Sequence, residues 1–205
     1  CDREGKDEMK NKFSVLIGHE FHRIKWFLFG TMFAAVLSIL WQSNMLNNSV
    51  YNMEQQDYYI SKVFGNVILD NCQIMLRIIF FVAIIVIAVM ASYQFYELKY
   101  GNTKDFLGSL PIRYFNFLKT KILMGTAVIT ITTALLYLGN IILYHLYYNS
   151  VDQMNQFSIY YEPIMNLETI GNLTTSIFIF WLNCLAVYYL FILIHLIVNH
   201  NLIAS

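Results

Sequence analysis

The chain has 205 residues, of which 58% are hydrophobic and only 13% charged, with 13 basic and 13 acidic side chains and a formal net charge of zero. A soluble domain of this length carries about a quarter charged residues. The apolar residues fall in four long runs, which excludes a disordered chain, a coiled coil and a disulfide-stapled secreted domain and points to an all-α, polytopic helical membrane protein.

The N-terminus is a dense charge cluster, with Arg3, Lys6, Lys10 and Lys12 among its residues. Met9 follows a charged octapeptide and is a natural start, so residues 1–8 are expected to be extra sequence. No cleavable leader is visible, because the first apolar run is too long and lacks a small-residue cleavage site. Residues 13–25 repeat apolar side chains at Phe13, Leu16, Ile17, Phe21 and Ile24, at spacings of three and four. His19, Glu20, His22, Arg23 and Lys25 are expected on the other, polar face. The pattern predicts an amphipathic elbow helix lying in the membrane interface before the first span.

The first predicted span covers 26–46, bracketed by Trp26 and Trp41, whose indoles favour the headgroup level. The second covers 74–95 and contains fourteen consecutive apolar residues from Ile78 to Ala91. A spanning helix needs about 20 residues, so this one takes in Arg77, which snorkels toward headgroups. The third covers 122–144 and is softer, with Gly125, Thr126, Thr130, Thr132, Thr133, Gly139 and Asn140. The fourth covers 175–198 and includes Asn183 and His195. Asn140, Asn183 and His195 are expected to avoid lipid and to face other helices or a cargo path. The Thr126, Thr130 and Thr133 face reads as a close-packing face.

Lysine and arginine favour the cytoplasmic side. They cluster before span one and again between spans two and three, at Lys99, Lys104, Arg113, Lys119 and Lys121. The segment 147–174 has none. The expected topology is multi-pass in a cell membrane, with both termini and the loop 96–121 cytoplasmic. After span four, Asn199, His200 and Asn201 precede Leu202, Ile203, Ala204 and Ser205. That reads either as a turn opening a fifth apolar segment or as a plain tail.

The loop 96–121 reads YELKYGNTKDFLGSLPIRYFNFLKTK. Gly101 ends span two, and Asn102 or Thr103 caps a short helix whose first turn carries Asp105. Phe106, Leu107 and Leu110 give that helix an apolar side. Pro111 breaks it and opens the helix leading into span three. A reversal of direction needs only a handful of residues, so a structured loop with an apolar face calls for a partner surface.

Glu97, Gly101, Thr103, Leu107, Ser109, Leu110, Pro111, Ile112, Arg113 and Lys121 follow the pattern "E…G.T…L.SLPI.R…….K". In this, and in the amphipathic segment before span one, the chain resembles the permease subunit of a bacterial ABC-2-type ABC transporter. The motif covers about 25 residues; the topology covers the whole chain. The resemblance implies that 96–121 is a coupling helix docking on a separate ATP-binding subunit. Glu97, Gly101, Thr103, Phe106, Leu107, Leu110, Pro111 and Arg113 would be its coupling residues. It also implies a second permease copy or homologue as partner. ATP and Mg would bind in the ATPase, with no cofactor in this chain. The family has six spans per half; four here imply a truncated permease.

No GxxxxGK[ST] is present, so ATP binding by a P-loop is not expected in this chain. No catalytic set stands out, and the chain is read as not an enzyme. The GHEFHR run at 18–23 spaces His19 and His22 three apart rather than four, without a third ligand, so no metal site is expected. Cys1, Cys72 and Cys184 form no CxxC. Too few basic residues are present for a nucleic-acid partner; the lipid bilayer is the expected surroundings. The competing reading is a non-transport membrane protein that anchors or regulates a cytoplasmic partner through 96–121.

Overall fold

In the computed structural model the described backbone comprises residues 2–54, 60–100, 114–155 and 167–203. Side chains are described for 15–48, 69–95, 118–146 and 170–197. All of the described backbone is helical. Helix α1 runs Asp2–Glu54, α2 Ile60–Tyr100, α3 Tyr114–Asn155 and α4 Leu167–Ile203. Each contains a stretch long and apolar enough to cross a membrane: Val15–Asn48, Leu69–Phe95, Leu118–Leu146 and Ile170–Ile197. The protein is an all-helical, multi-pass membrane protein.

The composition of α2 shows why. Cys72, Met75, Leu76, Ile87, Met90, Ala91 and Phe95 are buried, at spacings that keep to one side of a helix. The opposite side carries Ile74, Ile78, Phe81, Val82, Ile85 and Val89, all exposed. A helix apolar all round belongs in a core or a bilayer, and this one has only half its surface covered by protein. The same holds for α1, whose exposed side carries Trp26, Phe29, Phe33, Leu37, Leu40 and Trp41. Lipid is the solvent for these faces.

The helices outrun the spans. At 1.5 Å per residue α1 is about 80 Å long and α2 about 60 Å, against a hydrocarbon core of about 30 Å. The segments expected to be connecting loops are thus partly helix: α1 continues to Glu54, α3 to Asn155, and α4 starts at Leu167. The segment 13–25, expected as an elbow helix, is helical and runs on into the first span. No break separates 13–25 from the first span, so the segment is one stretch of a continuous 53-residue helix. Nothing in it could break the helix: it contains no proline, and Gly18 is a single exposed residue.

The described helices contribute to two compact units, one made of Cys1–Gly30, Ala83–Thr130 and Asn183–Ser205, the other of Thr31–Val82 and Ile131–Leu182. In the second, Thr31 and Thr132 share a hydroxyl hydrogen bond of 2.9 Å, and Phe80 meets Phe180 edge-on at 6.2 Å. Gly139 lets α3 approach Ile39 of α1, where a Cβ would collide with the isoleucine Cδ1. In the first, Gly125 of α3 receives the ring of Tyr188 from α4, so that any side chain at 125 would overlap the phenol. Small residues at such crossings are how membrane helices approach closely.

Candidate functional site

Among the described residues, the densest polar construction lies in the first unit. Glu20, Gln94, Lys121 and Tyr188 come one from each helix, and all four are 0% exposed. The Lys121 ammonium donates to Glu20 Oε1 at 2.9 Å and to the Gln94 carbonyl at 2.7 Å. Gln94 answers through its Nε2, which donates to the Lys121 carbonyl at 3.3 Å. The Tyr188 hydroxyl lies 2.8 Å from Gln94 Oε1 and 3.1 Å from the Lys121 carbonyl, and shares its one proton between them. Arg23, a turn beyond Glu20, donates to Glu20 Oε1 at 3.1 Å and to the Tyr93 carbonyl at 3.3 Å. Its guanidinium lies 5.2 Å from the centre of the Tyr93 ring. Glu20 Oε2 is buried with no partner among the described residues.

Local structure explains how each group arrives. Leu16, Glu20 and Ile24 recur every four residues on α1 and form one buried line. Gln94 and Phe95 sit one turn beyond Met90 and Ala91 on the buried side of α2. Lys121 and Thr120, both fully buried, precede Met124, Gly125 and Val128 on α3. Gly125 leaves the space in which the Tyr188 ring reaches Lys121. A carboxylate and an ammonium withdrawn from water persist only when paired and further hydrogen-bonded; Lys121 and Glu20 Oε1 meet both conditions here, and Glu20 Oε2 does not.

Two sequence assignments are corrected by this cluster. Glu20 does not belong to an exposed polar face: it lies on the buried line of α1, while Phe21, expected on the apolar face, is 48% exposed. His19 and His22 are exposed. Lys121, counted with the loop cations, is an interior residue. The other candidate polar residues divide. His195 stacks on Phe95 with ring centres 5.9 Å apart and 4° between planes, and its Nε2 lies 3.1 Å from Ser92 Oγ. Asn140 is buried, but its Nδ2 donates to Leu136 of its own helix at 2.8 Å rather than to another helix. Asn183, expected to turn away from lipid, is exposed. Thr126 reaches the Tyr189 hydroxyl at 3.1 Å, bearing out helix contact on that face, whereas Thr130 bonds back to its own helix.

Of the coupling residues, Gly101, Thr103, Phe106, Leu107, Leu110, Pro111 and Arg113 lie outside the described residues, as does the side chain of Glu97. The boundaries are visible: α2 extends through Tyr100 and α3 begins at Tyr114. The residues 94 and 121, which flank the segment, are bonded to each other twice. Sequence reasoning missed this pairing. A signal existed, in the spacing that puts Glu20 between Leu16 and Ile24 on the buried line.

Among the described residues no three His, Cys, Asp or Glu side chains come together as a metal site. Compared with known proteins, the chain matches no protein-family model, no curated protein and no solved structure.

Proposed function

We propose that this chain is the membrane-spanning permease subunit of an ATP-driven transporter, worked by a separate ATP-binding subunit that docks on residues 96–121. ATP and Mg belong to that partner, and a second permease copy or homologue completes the pathway. The N-terminus and the docking segment lie on the cytoplasmic side of a cell membrane.

The observation that supports this reading is the clasp at the base of the segment. Lys121 and Gln94 hold its two stems together, Glu20 ties them to α1, and Tyr188 ties them to α4. A push delivered to 96–121 would reach all four helices through bonds shorter than 3.5 Å, rather than being lost in a loose loop. Hydrogen-bonded and ion-paired contacts of this kind can carry conformational coupling between elements. The sequence of the segment supplies the docking face, through Phe106, Leu107 and Leu110.

The test co-expresses the full chain with an ATP-binding subunit that co-purifies with it. Truncating an apolar interface anchor costs roughly 2 kcal/mol or more. Leu107→Ala and Leu110→Asp should therefore weaken the complex and uncouple ATP hydrolysis from transport, while Arg113→Ala, at the rim, does much less. Complex formation and coupled transport unchanged in Leu110→Asp would refute the coupling role. The chain would then be an anchor or regulator of another partner.

A further inference from the structure

The exposed face of α1 in the first unit carries charge and aromatic surface in one stripe. His19, His22, Trp26 and Phe29 follow at spacings of three and four, all exposed, with Lys25 on the flank. Trp26 is 73% exposed and Phe29 58%, and the two rings meet edge-on at 6.4 Å. The Lys25 ammonium lies 5.6 Å from the centre of the Trp26 ring and 3.3 Å from His22 Nδ1. An ammonium only donates, so His22 Nδ1 accepts and the hydrogen sits on Nε2, free to donate outward. Lys25 meets no carboxylate within ion-pair distance among the described residues, unlike Arg23 and Lys121, which share Glu20.

We infer that this stripe is a binding site for an anionic phospholipid. The phosphate lies between Lys25 Nζ and His22 Nε2, with His19 a turn further out, and an acyl chain runs down over Trp26 and Phe29. Charge complementarity selects the occupant. The described side chains of the first unit carry four Lys and Arg against one Asp or Glu, and those of the second carry one of each. Among the described residues the only carboxylate of this unit, Glu20, is buried on the opposite side of α1 and already engaged by two cations. A choline headgroup would bring its own cation against Lys25; a glycerol headgroup on the phosphate brings none. Below the basic groups the exposed surface is aromatic and apolar, so a soluble anion would leave half the stripe uncovered. Pairing of Lys25 with the Trp26 face holds the ammonium at the boundary between the two zones.

The inference does not depend on the transport reading. It is tested with the purified full chain in detergent, by native mass spectrometry against phosphatidylglycerol and phosphatidylcholine of identical acyl chains. The unmutated chain should retain phosphatidylglycerol preferentially. His22→Gln with Lys25→Gln should lower that retention about five-fold or more, and Lys25→Arg should restore it in the background of native His22. Lys119→Gln, which removes an exposed cation of the same unit from a different helix, should leave the preference intact. Equal retention of the two lipids by the unmutated chain would overturn the site. So would a loss in Lys119→Gln as large as in the double variant, or a dimer of the chain that only the double variant dissolves.

Discussion

Removing the ammonium of Lys121 would leave the Glu20 carboxylate buried beside Arg23 alone, and the Gln94 carbonyl without its 2.7 Å donor. Desolvation offsets most of the attraction within a buried ion pair, but losing one partner costs about 3–5 kcal/mol. Lys121→Met should thus unfold at a clearly lower temperature in detergent than the unmutated chain. Glu20→Gln combined with Lys121→Met should cost less than the sum of the two single losses, because both variants remove the same Lys121–Glu20 bond. Additive losses in the double variant would show that the two groups do not interact. The same logic of fit governs Gly125. A methyl there overlaps the buried Tyr188 ring, which is wedged at 0% exposure. Overpacking of that kind costs about 1–3 kcal/mol. Gly139→Ala meets Cδ1 and Cγ1 of Ile39, an aliphatic side chain that is only half-buried and has room to turn aside, unlike the enclosed Tyr188 ring. Thermal unfolding should therefore rank Gly125→Ala well below Gly139→Ala, and the reverse order would contradict the packing described.

At the scale of the element, the four spans were plain in the sequence, because runs such as Ile78 to Ala91 leave no alternative to a lipid-facing helix. Helix ends were less legible. Polar residues flanking a span look the same whether the chain turns there or continues helically into water, so the continuation of α1 to Glu54 carried no signal of its own. Most of the buried cluster was hidden for a different reason. Lys121 and Glu20 are 101 residues apart, and the positive-inside rule counts a lysine by its loop, not by its partner. Orientation remains the element-scale prediction. A cysteine at Lys104 should react with a membrane-impermeant maleimide only in inverted vesicles, and one at Gln153 only in intact cells. The opposite pattern would place the basic loop outside.

For the whole molecule, the division of charge matters more than its sum. A chain with no net charge still has a basic unit, since the described side chains of the first unit hold four cations against one carboxylate. Arg23 and Lys121 are both engaged internally by the one Glu20 carboxylate, which leaves Lys25 and Lys119 to meet the surroundings. An anionic leaflet would attract that unit more than the other. Vesicles enriched in phosphatidylglycerol should accordingly raise the chain's unfolding temperature relative to pure phosphatidylcholine. No difference between the two would show that the charge asymmetry is not felt by the lipid.

The clasp between Gln94 and Lys121 also makes the segment between them replaceable. Once the stems are fastened, the bundle no longer relies on the intervening residues for closure, and doubling the length of a flexible loop costs only about 0.6 kcal/mol. The helices can therefore serve as a fixed socket for interchangeable inserts. Exchanging 101–113 for a Gly/Ser stretch of equal length should leave the unfolding temperature nearly where it was and abolish partner binding. A lineage could then change the companion of such a chain by rewriting thirteen residues, without renegotiating the interior.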